Sequence, residues 1–195
     1  MPSTGPEVLL VRHGETEWSA ALKHTGSTDV PLTDAGRRQA QRLAAALAVR
    51  DFARVMTSPL SRAVETCRLA GLGEHAEVRE DLREWNYGEY EGATTAEIRA
   101  ERPDWRLWRD GCPGGESPAE VGARADRVVA ELRELDGDAA VVGHGHMLRV
   151  LAARWLDLPP ARGASLALST GALSALGWER ENAAIWLWNQ SADGL

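Results

Sequence analysis

Two histidines and two arginines follow short apolar segments of the chain, and these residue types are suited to transferring a phosphoryl group. Arg12-His13-Gly14 ends the first segment and Gly143-His144-Gly145 ends a later one, while Arg62 follows a third segment after Ser58-Pro59. Guanidinium groups bind phosphate oxygens in a bidentate manner. One imidazole is expected to attack phosphorus in line, and the other to stay protonated as a charge clamp. A helix that starts near Gly145 would add backbone N–H donors.

Alternating strands and helices must position these residues. Runs of apolar residues predict buried strands, and apolar residues at helical spacing behind Ser, Thr or Asp predict capped helices. The predicted strands cover 7–12, 54–57 and 139–142, with a further strand near Val78 and two or three between 165 and 188. The predicted helices cover 34–50, 60–70 and 95–101, a segment from Ser117-Pro118 onward, and 145–155. This order predicts an α/β fold, a three-layer αβα sandwich around a mostly parallel sheet.

The predicted fold brings the four cationic and imidazole side chains to one place. Ligands of open α/β sheets bind beyond the carboxyl ends of the strands. We therefore expect Arg12, His13, Arg62 and His144 to share one pocket. The length of 195 residues suits a single domain over residues 1–195. The irregular, aromatic segment 81–116 is expected to form a lid-like excursion from it.

The charge and cysteine content exclude several classes of protein. The net charge is −7, whereas a nucleic-acid-binding surface needs a basic excess, so no nucleic-acid partner is expected. Positive charge must then be concentrated locally in any anion site. The two cysteines, Cys67 and Cys112, cannot form a disulfide framework and indicate free thiols in a reducing compartment. No apolar run is long enough for a leader or a membrane span, so we expect a cytoplasmic protein without a membrane partner.

Five segments in order resemble the histidine phosphatase superfamily, the phosphoglycerate mutase-like proteins. The resemblance covers nearly the whole chain and is closest in character to the short bacterial acid phosphatase branch. Its motifs are Leu-Val-Arg-His-Gly-Glu-Thr at 10–16, Thr-Gly-Ser-Thr-Asp-Val-Pro-Leu-Thr at 25–33, Ser-Pro-Leu-Ser-Arg-Ala-Val-Glu-Thr at 58–66, Glu-Trp-Asn-Tyr-Gly-Glu-Tyr-Glu-Gly at 84–92 and Val-Gly-His-Gly at 142–145.

The resemblance implies a role for each matching residue. His13 would be the nucleophile and carry the transient phosphohistidine. Arg12, Arg62 and His144 would hold the phosphoryl group. Glu84 would be the general acid for the leaving alcohol and then the base for water. No cofactor and no metal are implied.

Further substrate contacts are expected from the second and last motifs, through Thr25, Gly26 and Gly145. Members of the family often carry Asn as a phosphate donor shortly after the first motif, and this chain has Ser19 there. The serine hydroxyl is a single donor on a shorter side chain. His24 or Thr25 is expected to compensate for it.

Two assignments stay open at this point. Glu84 competes with Glu89 and Glu91, since all three acids also suit a solvated loop. Trp105 and Trp108 lie at helical spacing, which is most typical of core or capping residues. The alternative is an apolar lid over the organic part of the substrate.

These features favour a metal-independent phosphomonoesterase that acts on a small phosphorylated metabolite. A cofactor-dependent phosphoglycerate mutase is the alternative, but residues 93–115 carry only scattered arginines and two tryptophans, which suit a sugar-like leaving group better than a second phosphate. A weakly catalytic relative that binds a phospho-ligand or a protein is the second alternative. The strand expected at Ile185–Trp188 would suit pairing in a homodimer.

Overall fold

The apolar segments form the strands of one six-stranded sheet in the computed structural model, which describes residues 5–191. The strands are β1 (Val8–Arg12), β2 (Arg54–Thr57), β3 (Ala76–Val78), β4 (Ala139–Gly143), β5 (Ala172–Glu179) and β6 (Asn182–Ser191). Their order is β3-β2-β4-β1-β5-β6. The first four strands in the chain are parallel to one another, and β5 and β6 add an antiparallel edge. Residues 1–4 and 192–195, which the predicted domain includes, lie outside the described residues.

The described residues form seven α-helices, and those capped by Thr33 and Ser117 begin where these residues predict. The helices are α1 (Glu17–Ala20), α2 (Asp34–Leu47), α3 (Ser61–Leu69), α4 (Thr95–Glu101), α5 (Leu107–Asp110), α6 (Pro118–Arg133) and α7 (Gly145–Trp155). Thr33 caps α2, and Ser117 forms a reciprocal capping box with Glu120 at the start of α6. Helix α2 ends three residues before the predicted end. Arg50 instead lies in the turn that leads to β2, where it forms ion pairs with Glu7 and Asp138.

The two faces of the sheet bury two separate hydrophobic clusters. Successive side chains of a strand point to opposite faces. On one face, Leu9 and Val11 pack with Leu43 of α2 and with α3. On the other face, Val8 and Leu10 pack with α6, α7 and the aromatic residues of segment 81–116. The result is the predicted αβα sandwich, with the sheet as its middle layer.

Two smaller features bear on the sequence-based expectations. Cys67 and Cys112 are both buried free thiols. Within residues 5–191, no helix combines the length and the apolar character needed to cross a bilayer.

Candidate active site

The predicted pocket lies at the carboxyl edge of three adjacent strands. Strand β4 lies between β2 and β1, so the residues that follow these strands are neighbours. The His13 amide donates to the Gly143 carbonyl at 3.0 Å, and the Ser58 amide donates to the Val142 carbonyl at 3.1 Å. The ring centroids of His13 and His144 are 5.1 Å apart. The sheet therefore brings both histidines together, as the sequence predicts.

The local backbone fixes the tautomer of His13. Its Nδ1 lies 2.7 Å from the Gly14 carbonyl oxygen, which can only accept, so Nδ1 carries the proton and Nε2 keeps a free lone pair. Burial, followed by the charges of Arg12 and Arg62, holds the pKa of His13 well below its ordinary value. A side chain at Gly14 would place its Cβ 2.2 Å from the Gly36 carbonyl oxygen, so only glycine permits this approach to α2. The imidazole is neutral and has the form that a nucleophile requires.

Arg62 is fully buried near the start of α3, and main-chain carbonyls hold its guanidinium. Nη1 donates to the Thr28 carbonyl at 3.0 Å, and Nη2 donates to the carbonyls of Thr25 at 3.2 Å and Gly26 at 2.9 Å. The nearest carboxylate, that of Asp29, is 4.0 Å away. Burial lowers the pKa of Arg62, although a guanidinium remains charged in proteins. Neutral carbonyls therefore orient this cation without cancelling its charge.

Glu91 holds the loop that supplies these carbonyls. Its Oε1 accepts hydrogen bonds from the amides of Gly26 at 2.8 Å and Thr28 at 3.0 Å. Gly26 was expected to bind substrate, and the structure places it behind the Arg62 guanidinium. Gly26, Arg62 and His144 are all absent from the wall of the cavity that His13 lines. Gly26 supports Arg62, because its carbonyl and its amide are both bonded within the protein, and a direct contact of Gly26 with substrate stays a prediction.

A serine fixes the tautomer of His144. The Ser58 hydroxyl lies 2.7 Å from His144 Nε2 and accepts from the Leu60 amide at 3.3 Å. Among the described residues its proton has no other acceptor, so the hydroxyl donates to Nε2 and the proton of the ring is on Nδ1. Burial is the largest cause that holds the pKa of His144 well below its ordinary value, and the charge of Arg62 adds to it. This environment therefore favours a neutral His144 over the expected protonated clamp. His144 is a neutral N–H donor there.

Three buried donors close to His13 have no hydrogen-bond partner. Among the described residues, five buried side-chain nitrogen or oxygen atoms lack a hydrogen-bond partner, and Arg12 Nε, Arg62 Nε and His144 Nδ1 are three of them. Buried donors in proteins are almost always paired. Arg12 is anchored by a hydrogen bond from Nη1 to the Leu168 carbonyl. A Cβ at Gly145 would lie 3.2 Å from the Arg12 Cζ, so glycine makes room for this guanidinium. The donor set fits an anion with several oxygens.

Glu84 lies in the wall of the cavity beside His13, and its carboxyl group binds the start of α7. Its Oε1 accepts from the amides of Trp85 and Met147, both at 2.9 Å. Its Oε2 accepts from the His146 amide at 3.0 Å. The first amides of a helix have no partner within the helix, so the carboxyl group and α7 satisfy each other. Oε2, with one donor instead of two, keeps a lone pair that can hold a proton.

The structure distinguishes the three acids that compete for the role of general acid, because they lie in different places. Glu84 lines the main cavity together with Arg12 and His13. Glu89 is exposed, and Glu91 is occupied by the loop at Gly26. Of the three, only Glu84 shares a cavity with His13.

The family profile described as histidine phosphatase superfamily (branch 1) matches residues 8–191. The chain belongs to this superfamily. An acid phosphatase of Mycobacterium tuberculosis is 46% identical over 88% of this chain and 86% of that protein. A sedoheptulose 1,7-bisphosphatase of Saccharomyces cerevisiae is 38% identical over 81% of this chain and 70% of that protein. The solved structure of a Mycobacterium tuberculosis open reading frame superposes with a TM-score of 0.91 at 41% identity, covering 96% of this chain and 98% of that one.

In this histidine phosphatase family member, a cavity of about 730 Å³ opens beside His13. Ser19 and Thr25 line it, as expected, but their hydroxyl protons are already used. Ser19 Oγ donates to the Thr16 carbonyl at 3.0 Å in the capping box of α1, and Thr25 Oγ1 donates to the Lys23 carbonyl at 3.1 Å. In this arrangement both hydroxyl protons are bonded to main-chain carbonyls, and phosphate binding by Ser19 and Thr25 stays a prediction.

The two tryptophans do not present open faces to this cavity. Trp105 is buried in the core, and its Nε1 donates to the Gly111 carbonyl at 2.8 Å. Trp108 is half-buried, and the Arg149 guanidinium lies over its ring at 4.6 Å. The lid alternative is not favoured, because one ring is enclosed and an arginine covers the other.

Three contributors to the site were not assigned from the sequence. Ser58 directs the tautomer of His144, Glu91 holds the loop behind Arg62, and Arg149 lines the cavity. Of the three, only Arg149 could have been found from the sequence, because it lies four residues after Gly145 and so on the same face of the helix. Within residues 5–191, no group of three or more His, Cys, Asp or Glu side chains is placed to hold a metal ion.

Proposed function

We propose that the protein is a phosphomonoesterase that transfers the phosphoryl group of a small metabolite to His13 and then to water. The observation that carries this proposal is a neutral His13, with Nε2 free, beside three unpartnered donors. A nucleophile and an oxyanion-binding donor set in one pocket are what acyl or phosphoryl transfer requires. The planar, forked donors of two arginines favour phosphate over a carbonyl oxyanion.

In the first step, His13 Nε2 attacks phosphorus and the bond from phosphorus to the alcohol oxygen breaks. Arg12, Arg62 and His144 donate to the phosphoryl oxygens, on which charge is spread in the transition state. Glu84 gives the proton on Oε2 to the departing oxygen, so that the product leaves as a neutral alcohol. A phosphohistidine and a Glu84 carboxylate remain.

In the second step, water attacks the phosphohistidine. The Glu84 carboxylate takes one proton from the water, the new oxygen bonds to phosphorus, and the nitrogen–phosphorus bond breaks. Inorganic phosphate leaves, His13 regains its lone pair and Glu84 regains its proton. The enzyme thus returns to its starting state without a net change in protons on the protein.

Two guanidiniums and the N–H of His144 supply the charge stabilisation in this scheme, so we propose that turnover needs no metal. Support for a metabolite as the substrate comes from the relatives, whose names include an acid phosphatase and a sugar bisphosphatase. Relatives named phosphoglycerate mutases are less similar, at 33% and 35% identity. Hydrolysis is therefore proposed ahead of transfer to a second substrate.

The test is hydrolysis of p-nitrophenyl phosphate with and without EDTA, by the native protein and by His13→Ala. We expect EDTA-resistant turnover that falls by at least 10³-fold in His13→Ala. His75→Ala is the matched control, because His75 is exposed. Radiolabelled substrate should leave an acid-labile phosphohistidine on the native protein only. Turnover in His13→Ala, loss of activity with EDTA, or phosphoryl transfer from 2,3-bisphosphoglycerate to 3-phosphoglycerate faster than hydrolysis would refute the proposal.

A further inference from the structure

The cavity beyond His13 holds more positive charge than the proposed phosphoryl transfer uses. Lys23, Arg99 and Arg149 line it in addition to Arg12, and Glu84 is the only acidic residue in its wall. This occurs in a chain whose net charge is −7. Among the described residues, no carboxylate lies within 4.0 Å of these three cations. A local excess of one charge in a concave site favours a ligand of the opposite charge.

Arg149 is held in place for such a ligand. Its Nε donates to the Gly163 carbonyl at 2.9 Å and its Nη2 to the Ala164 carbonyl at 3.1 Å, while the Trp108 ring lies under the guanidinium. Within the described part of the chain, Nη1 has no hydrogen-bond partner. Arg149 is half-buried, and this burial lowers the pKa of its guanidinium. A fixed, partly desolvated guanidinium binds an anion with little loss of side-chain entropy.

Arg149 lies one helical turn beyond the residue that contacts Arg12. Gly145 lies against the Arg12 guanidinium, and Arg149 follows it by four residues on the same face of α7. Four residues of α-helix span about 6 Å along the axis. The residue that lies against Arg12 and the residue that carries the second guanidinium are therefore about one helical turn apart, which favours a short leaving alcohol between them.

Lys23 and Arg99 complete this region from two other segments. The backbones of Lys23 and Thr94 form an isolated antiparallel bridge, which ties the segment of Lys23 to the start of α4. Arg99, on α4, donates from Nε to the Trp105 carbonyl at 3.1 Å, and the Lys23 Nζ lies 5.6 Å from the Trp18 ring. Three separate parts of the chain thus place cationic residues in the wall of one cavity.

We propose that Lys23, Arg99 and Arg149 bind a second anionic group of the substrate, a phosphate or a carboxylate carried by the leaving alcohol. This inference rests on the proposed function, since it assigns the other end of the substrate to His13. It replaces the sequence-based preference for a neutral sugar-like leaving group. The substrate class is a short polyol or sugar phosphomonoester with a second anion.

The test compares substrates that differ only in the second anion. Fructose 1,6-bisphosphate is paired with fructose 1-phosphate, and 3-phosphoglycerate with glycerol 3-phosphate. We expect the doubly anionic member of at least one pair to have a kcat/KM at least tenfold higher, and the pair that shows it identifies the second group as phosphate or carboxylate. The ratio of kcat/KM for the doubly anionic substrate to kcat/KM for the singly anionic one should fall at least tenfold in Arg149→Gln. It should fall severalfold in Lys23→Gln.

Arg154→Gln is the matched control, since Arg154 is on the same helix but pairs with Asp126 outside the cavity. It should leave the ratio unchanged. Equal kcat/KM within both pairs would overturn the inference. The inference would also be overturned if the kcat/KM ratio were unchanged in both Arg149→Gln and Lys23→Gln. A ratio that falls equally in Arg154→Gln would overturn it too, because it would indicate long-range electrostatic attraction only. Lys23 is exposed, so Lys23→Gln remains informative if Arg149→Gln does not fold.

Binding separates this inference from the proposed function. In His13→Ala, calorimetric titration should show that fructose 1,6-bisphosphate binds at least tenfold more tightly than fructose 1-phosphate, and addition of Arg149→Gln should remove the difference. If this difference is present while the native protein hydrolyses no phosphomonoester, the second-anion site stands and the proposed function fails. If hydrolysis occurs and the difference is absent, the second-anion site fails alone.

Discussion

Glu91→Gln tests whether an acid that lies outside the cavity positions Arg62. Glu91 Oε1 accepts from two loop amides, and that loop presents three carbonyls to the buried guanidinium. A hydrogen bond to a charged acceptor contributes about 1.5–3 kcal/mol and a neutral bond about 0.5–1.5 kcal/mol. Replacing the carboxylate by an amide at two bonds therefore costs about 2 kcal/mol.

This cost has two measurable consequences. The Tm should fall by about 4–8 °C, given about 2–4 °C per kcal/mol for a protein of this size. If the whole cost appears as misplacement of Arg62, kcat/KM for p-nitrophenyl phosphate should fall by about 30-fold, at 1.36 kcal/mol per factor of ten. The inhibition constant of inorganic phosphate should rise in parallel, because Arg62 is proposed to bind the phosphoryl group.

Glu89→Gln is the control, since Glu89 belongs to the same segment, is exposed and loses the same charge. It should leave Tm, kcat/KM and phosphate inhibition unchanged. Measurements are made at least 15 °C below the lower Tm, so that unfolding does not contribute to the rates. A lower Tm with native kcat/KM and native phosphate inhibition would refute the positioning role and leave Glu91 as a purely structural residue.

Four further predictions follow from the contacts of the site. Glu84→Gln should reduce kcat by about 10²–10⁴-fold for an alkyl phosphate and much less for p-nitrophenyl phosphate, whose leaving group needs little protonation; equal losses would contradict the role as an acid. Ser58→Ala should lower kcat/KM about fivefold, because it removes one neutral hydrogen bond to His144 that contributes about 1 kcal/mol. Unchanged kinetics would show that this hydrogen bond does not position His144. Because the pKa of His13 is lowered, kcat/KM should persist from pH 7.5 to 5.5, and an activity loss centred at pH 6.5 would contradict it. The lowered pKa values of His13 and His144 also mean that the unfolded chain binds more protons, so the free energy of unfolding in urea should decrease as the pH falls below about 6.5.

The elements that position the site were predictable from local sequence. The apolar runs before His13 and His144 have the length and composition of buried strands, and the strand ends define where ligands bind. Thr33 and Ser117 are side-chain caps whose helices begin where predicted. These features depend on residues that are close in sequence, so they can be predicted from the sequence alone.

The contacts that tune the site were not predictable in the same way. Glu91 and Gly26 are 65 positions apart in the chain, and His144 and Ser58 are 86 apart. No local pattern shows which loop acid is exposed and which one holds a distant amide. Likewise, the neutral state of His144 depends on its burial next to Arg62, which only the folded chain establishes.

The placement of cations in the cavity has a consequence for how such an enzyme can be altered. The residues around phosphorus come from the edge of the sheet and from the start of α3, whereas Lys23, Arg99 and Arg149 come from a loop, α4 and the second turn of α7. The two sets share only α7, whose first residues lie next to the phosphoryl site and whose second turn carries Arg149. Changes in substrate range can therefore accumulate at Lys23 and along α4 while the reaction at His13 is preserved, so libraries for new specificities belong in those two segments.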